Sequence, residues 1–376
     1  MNKKIWLSSP HMGGTEQKYV QEAFDTNWVA PLGPNVNEFE KAIQNYIGQN
    51  KFVAALSSGT AALHLALVLA GVKQNDEVLC QSFTFSASAN PIVYQGAKPI
   101  FIDSEKETWN MCPFALEDAI KNSLSKGKKP KAIIVVHLYG MPAKMDEIKR
   151  IANLYNIVLI EDAAEALGSS YKGQKCGTFG DFGILSFNGN KIITTSGGGA
   201  LICNDSETKQ KAIFLATQAR DNAPHYQHSK IGYNYRMSNI VAGIGRGQME
   251  VLDIRVNQRR AMHQFYTEIF KNRADIVVLE EPSSNFSSNF WLTTILLKSF
   301  EQRENLRLYL EKQNIESRPL WKPMHLQPVF EKYQYFGTGI SEELFSRGLC
   351  LPSGSNLNNQ DKKRISENLL NFLEKN

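Results

Sequence analysis

One lysine stands in the stretch SFNGNKIITTSGGGALIC, Ser186 to Cys203, between an apolar run (GILSF, 183–187) and the successive glycines Gly197, Gly198 and Gly199. A bare ammonium beside a buried strand is costly to desolvate. Lys191 therefore either reaches water or has its charge suppressed for chemistry. Two other stretches bear on that choice. In ALSSGTAALHLAL a strand ends at Ser57 and a helix begins near Thr60. Ser58, Gly59 and Thr60 then present hydroxyls and unpaired backbone N–H groups, which is either a seat for a phosphate-sized anion or a plain helix cap. No GK[ST] follows, so the stretch is not a Walker loop. In IVLIEDAAEALGSSYKG, Asp162 closes an apolar run that reads as a buried strand. Parallel sheets place their ligands at such strand ends, and the alternative is an N-cap before Ala163.

A phosphate seat, an acid at a strand end and a lysine between strands form the set that pyridoxal phosphate requires. The lysine amine condenses with the cofactor aldehyde, the acid keeps the pyridine nitrogen protonated, and the helix N-terminus receives the phosphate. An aromatic face can stack on the ring, and QSFTFSAS offers Phe83 and Phe85. Held as a Schiff base, Lys191 carries no free ammonium; released, its desolvated amine can carry a proton.

The elements that must position these residues are legible as a pattern. From about residue 50 to 205, short apolar runs (KFVAALS, DEVLCQ, KPIFID, AIIVVHL, IVLIED) alternate with helical stretches such as GTAALHLALVLAG and AKMDEIKRIANLYN. Such alternation predicts βαβ units around a buried, mostly parallel sheet. GILSF and GGALICN read as two strands joined by a short link, which predicts one antiparallel edge. After about residue 250 the pattern changes to long helices around the strand FWLTTILL. Met262, Phe265, Tyr266 and Ile269 mark one helical face, and Ile365, Leu369 and Phe372 another. The division expected is a large α/β domain over residues 1–250 and a smaller α+β domain over 251–376. Gly243 to Gly247 (GIGRG) follow a capping Ser238 rather than a strand, so they read as close helix packing and not as a dinucleotide fingerprint.

Composition narrows the function classes. The net charge is +5 and the basic stretch KNSLSKGKKPKA lacks interleaved aromatics, so nucleic acid is not an expected partner. Five scattered cysteines without a CxxC pair indicate neither a disulfide framework nor a metal site. The N-terminus MNKKIWLSSP has no signal-length apolar region and no run approaches membrane-spanning length. A cytoplasmic protein without membrane partners is the expectation.

Beyond these readings, SSGTAALHLAL, SFTFSASANPI, VLIEDAAEALGSSYKG, GTFGDFGILSFNGNKIITTSGGG and GYNYRMSNIVAGIGRGQMEVLDIR resemble the DegT/StrS-type sugar aminotransferases over nearly the whole chain and in order. SPHMGG, NWVAPLGP, RPLWKPMH and LCLPSGS resemble the branch that aminates C4 of a UDP-linked 4-keto-6-deoxy-N-acetylglucosamine for bacillosamine-type glycans. The resemblance implies a fold-type I enzyme using pyridoxal 5'-phosphate, with L-glutamate and a UDP-linked 4-keto sugar as substrates in a ping-pong reaction, a GDP- or dTDP-linked 4-keto sugar being the alternative. It implies that Lys191 and Asp162 are catalytic, that Phe85 stacks on the ring, and that Gly59, Thr60 and Ser186 hold the phosphate. Asn234 would reach that phosphate from the other subunit of a homodimer with shared active sites. Glu165 stands where many relatives carry glutamine or histidine near the phenolic oxygen. Arg318 and His325 would meet the sugar or its diphosphate, and Asn27 and Trp28 would wall the hexose. Cys112 stands where relatives often have a helix-capping aspartate, which touches stability rather than chemistry. Lys191 argues against the related sugar 3-dehydratases, which carry histidine there. The intact Lys191, Asp162 and Ser186 argue against a non-catalytic regulator of the same fold.

Overall fold

A computed structural model describes residues 3–48 and 50–374. Its centre is an eight-stranded sheet in the order Phe52–Leu56, Gly199–Cys203, Phe182–Ser186, Val158–Asp162, Ala132–Val136, Glu77–Gln81, Lys98–Ile102 and Tyr335–Phe336. Helices cover both faces, so the central strands are buried throughout and read as apolar runs, as a parallel sheet requires. Gly199–Cys203 runs antiparallel to both of its neighbours. The expected antiparallel edge is therefore one strand in from the border. Phe52–Leu56 pairs along its whole length with Gly199–Cys203, and its flank is packed by the helices Pro34–Ile47 and Ser206–Ala216.

Register decides where the chemistry collects. Leu56 and Ser186 both lie opposite Gly199, which sets the start of the helix Gly59–Leu69 beside Ser186. A Cβ on Gly199 would run into the backbone of Ser58 and Gly59, and one on Gly59 would come within 3.1 Å of Ser186 Cβ. Glycine at both positions thus permits the close approach of strand and helix end. The helix itself is capped by Ser58, whose Oγ accepts from Ala61 N at 3.0 Å. Asp162 ends the central strand Val158–Asp162 at the same side of the sheet.

The C-terminal part carries a four-stranded sheet ordered Val277–Val278, Thr293–Leu296, Gly348–Leu351, Arg318–Pro319. It packs against the helices Leu252–Phe270, Phe300–Lys312 and Asn359–Leu373. Met262, Tyr266, Ile365, Leu369 and Phe372 sit in that core, with Phe265 and Ile269 at its margin. The last helix opens with a reciprocal capping box between Asn358 and Asp361. Several contacts tie the parts together, among them the bridge of Ile5 to Ile315, the pairing of Phe286–Ser287 with Ser170–Tyr171, and the return of Tyr335–Phe336 to pair with Lys98–Ile102 in the large sheet. Gly243, Gly245 and Gly247 lie in the helix Asn239–Glu250, where an added Cβ would meet the 16–19 turn or the Phe39 ring at 2.7–3.1 Å. They serve close packing, and Ser238 caps the helix by accepting from Val241 N at 3.2 Å. The helix Pro113–Ser125 begins after Cys112 with no side-chain cap.

Candidate active site

At the carboxyl ends of the central strands lies a cavity of about 340 Å³, lined by Ser58, Gly59, Thr60, Phe85, Asp162, Glu165, Ser186 and Lys191 among others. Seven segments distant in sequence meet there. Asp162 forms its floor: Oδ2 accepts from Ser88 Oγ at 2.6 Å and Oδ1 from Ala164 N at 3.2 Å. Ser88 in turn accepts from Thr84 Oγ1 at 2.8 Å, so the carboxylate is fixed by a two-hydroxyl relay. Ser58, Gly59 and Thr60 form one wall, and Ser186 faces them.

Lys191 sits in the loop between Phe182–Ser186 and Gly199–Cys203. Its Nζ lies 3.3 Å from Glu165 Oε1 and 4.2 Å from the centroid of the Trp291 ring. The loop is held from outside: Asn190 O accepts from Trp291 Nε1 at 2.6 Å and from Ser8 Oγ at 2.7 Å. Lys191, beside its apolar run, is thus partly buried, ion-paired and packed on an indole face. Glu165 is buried. Its Oε2 accepts from Tyr139 N at 2.7 Å, and Tyr139 adopts a left-handed φ of 55° to present that amide. Burial pushes the Glu165 carboxyl above its ordinary range, against the opposing pull of the Lys191 charge.

Of the two candidate aromatics, Phe83 is fully buried against Tyr139 while Phe85 stands in the cavity wall. Trp321 closes the mouth, 5.2 Å from Phe85 and 6.4 Å from Trp291 between ring centroids. Ser88, Trp291 and Trp321 carry no local signal of a role. Ser88 lies within the SFTFSAS motif and Trp321 within RPLWKPMH, but only the packed structure brings them to this cavity.

Five residues with an expected site role lie outside it. Arg318 lines an adjoining groove of about 350 Å³ that shares Thr84, Phe85 and Trp321 with the cavity and also holds Lys322 and Val329. Its guanidinium pairs with Glu316 at 2.8 Å and is largely exposed. His325 stacks on Tyr335 at 3.8 Å, receives the Ser82 hydroxyl proton at Nδ1 (2.7 Å), and lies 3.2 Å from Glu342 through Nε2. Its hydrogen bonds are thus taken up within the fold. Asn27 and Trp28 are exposed beside the helix Asn239–Glu250, whose first residue donates to Trp28 O at 3.0 Å. Asn234 is exposed in the segment that bridges Thr217.

The sequence profile of the DegT/DnrJ/EryC1/StrS aminotransferase family matches residues 10–370. The chain belongs to this family. It is 53% identical to EpsN of Bacillus subtilis, named as a pyridoxal phosphate-dependent aminotransferase, covering 99% of this chain and 97% of that one. It is 40% identical to the GDP-perosamine synthase of Escherichia coli O157:H7 over 98% and 99% of the two chains. A Campylobacter jejuni UDP-4-amino-4,6-dideoxy-N-acetyl-beta-L-altrosamine transaminase is 34% identical over 91% of each. Among solved structures, a DegT DnrJ EryC1 StrS aminotransferase from Brucella abortus superposes with a TM-score of 0.89 at 30% identity, covering 95% of both chains.

As a DegT/DnrJ/EryC1/StrS member, the protein is a pyridoxal-phosphate-dependent sugar aminotransferase of fold type I. The cavity fits that cofactor on its own terms. It offers a primary amine, a fixed carboxylate and a helix N-terminus backed by hydroxyls, and the Gly59–Gly199 approach leaves no side chain in the anion seat. Among the described residues no helix is long and apolar enough to cross a membrane.

Proposed function

We propose that this enzyme moves the amino group of L-glutamate to the C4 ketone of a UDP-linked 4-keto-6-deoxy-N-acetylhexosamine. The observation that carries the reading is the single cavity in which Lys191, Asp162, Ser186 and the start of the helix Gly59–Leu69 converge. When bound there, pyridoxal phosphate supplies an aldehyde to hold the amino group and a ring to delocalise the electron pair. Asp162, fixed by Ser88 and Ala164, would hold a proton on the pyridine nitrogen. The unpaired N–H groups of the first helical turn, with the Thr60 and Ser186 hydroxyls, receive the phosphate. Phe85 would stack on the ring, and Trp291 and Trp321, in the same lining, would exclude water from the amine. Lys191 Nζ would be the group that carries a proton to and from the reacting carbons.

Outside the cavity, the groove with Arg318 and Lys322 offers two cations to a diphosphate, and Val329 and Trp321 offer apolar surface to a base. The SPHMGG, NWVAPLGP and LCLPSGS stretches support the UDP branch. A second reading, a GDP-linked 4-keto-6-deoxyhexose, is favoured by the 40% identity to a GDP-perosamine synthase. The enzyme acts as a cytoplasmic homodimer in this proposal. Exposed Phe24, Trp28, Val29, Leu32, Tyr226 and Ile231 provide apolar surface for a second copy, and Asn234, outside its own cavity, serves the partner's.

The test is a panel of UDP-, GDP- and dTDP-linked 4-keto-6-deoxy sugars with nitrogen-labelled L-glutamate. Label should enter the UDP-N-acetyl sugar with a kcat/KM at least roughly tenfold above the others, which corresponds to about 1.4 kcal/mol of discrimination. Preference for the GDP sugar would establish the second reading. Transfer to none would overturn both.

A further inference from the structure

Glu165 is a buried acid whose anionic form has few supports. Oε2 takes one backbone N–H, from Tyr139, and Oε1 faces Lys191 Nζ at 3.3 Å. The other titratable groups around it do not stabilise a negative charge. Asp162 contributes a second carboxyl from the strand end, and its proximity raises the cost of ionising Glu165. Tyr139, from the loop at 138–140, and Cys350, from the strand Gly348–Leu351, are both buried, and burial pushes both well up, so they stay neutral. Lys191 is the charge that makes an anionic Glu165 tolerable here.

The converse holds for the lysine. Trp291 lies on one side of Nζ and Glu165 on the other, and an ammonium there has no lone pair with which to attack an aldehyde or accept a proton from carbon. Its proton must go somewhere, and the side chain is only 12% exposed.

We propose that Glu165 is the proton acceptor for Lys191. One proton passes from Lys191 Nζ to Glu165 Oε1. The ammonium becomes a free amine, the carboxylate becomes a neutral carboxylic acid, and nothing is exchanged with solvent. Two charges in a low-dielectric site are traded for none, so desolvation, which opposes the ion pair, favours the transfer. The 3.3 Å separation is within the looser range of catalytic hydrogen bonds before a site closes. Glutamine in this place could not take the proton. The inference rests on the role proposed above for Lys191.

The experiment mixes cofactor-free protein with pyridoxal phosphate in a stopped-flow spectrometer. It follows, against pH, the visible absorbance that marks covalent capture of the aldehyde. With an internal acceptor the proton inventory does not change, so the wild-type capture rate should vary less than about twofold across neutral pH. In Glu165→Gln the proton must leave to water, and the rate should climb by about tenfold per pH unit across neutral pH. Glu165→Ala should show the same slope, and added formate should flatten it. A wild-type rate that climbs as steeply as that of Glu165→Gln overturns the inference, as does an unchanged slope in Glu165→Ala with formate. Lys191→Ala separates the two readings: a persisting capture band there would sink the role of Lys191 itself.

Discussion

Glu161 and Glu165 lie four residues apart at the end of one strand, and both are buried. Their surroundings are opposite. Glu161 accepts backbone N–H bonds from Gly177 (2.8 Å), Phe179 (2.5 Å) and Gly180 (2.6 Å) and faces His137 Nε2 at 2.9 Å. The His137 ring has no freedom in this arrangement. Its Nδ1 accepts from Ala143 N at 3.0 Å, so the proton rides on Nε2 and is donated to Glu161. Every lone pair is engaged by fixed donors, and the group staples the loops at 137–143 and 176–180 to the sheet. Glu165 has one fixed donor and one partner that chemistry must remove. Residue type and burial alone do not separate a structural carboxylate from a reactive one. The number of immovable hydrogen bonds does.

That comparison can be broken at several points. The largest effect expected is on Lys191→Ala, which should lose turnover by about 10⁴-fold, the upper range for a positioned acid–base group, while circular dichroism and the melting transition stay near wild type. Turnover above a small fraction of wild type would remove Lys191 from the chemistry and Glu165 with it.

Glu161→Ala comes next. It strands three backbone donors and a histidine in the core and should cost about 3–5 kcal/mol in denaturant unfolding. Glu165→Gln, which keeps the shape and removes a poorly supported charge, should change stability by less than about 1 kcal/mol. Equal costs for the two variants would erase the distinction.

A pH series sharpens the comparison further. Asp103 resembles Glu161. Its carboxyl accepts from the backbone N–H groups of Ser104, Thr338, Gly339, Ile340 and Ser341 and ties the 335–341 segment to the large sheet. Burial opposes its ionisation, but these bonds outweigh it and hold the group below its ordinary 3.8. A lowered value in the fold means stability that is full above 3.8 and lost as pH falls through the folded value. Asp103→Asn should therefore cost about 1–3 kcal/mol at neutral pH, and the difference from wild type should shrink on acidification. Glu165 has the opposite sign, because its value is raised from 4.5. Its ionisation works against the fold as pH rises through the folded value, so the stability of Glu165→Gln relative to wild type should improve over that interval. Unfolding curves at stepped pH that show the same trend for both variants would contradict the assignment.

The alternation of apolar runs and helices made the large sheet legible because a parallel strand buried on both faces must be apolar along its length. Asp162 and Lys191 stood out for the same reason: each is a charge where desolvation demands a purpose. The antiparallel strand was also readable, but its position one in from the border was not. That depends on Phe52–Leu56, some 145 residues earlier, folding back to cover it.

Local chemistry in the chain was enough to single out the strand ends, the close-packing glycines, Lys191, Asp162 and the Ser58–Thr60 stretch, which the sequence read as either an anion seat or a helix cap and in which the structure shows Ser58 capping the helix. Each of these is a cost or benefit felt within a few residues. Only the tertiary structure decided that Trp291 lies over Lys191, that Ser88 fixes Asp162, and that Arg318 lines the adjoining groove while His325 is spent on Ser82, Glu342 and Tyr335. Those facts depend on which distant segments pack together. Packing energy is non-directional and spread over many residues, so it leaves no mark at the individual positions it brings into contact.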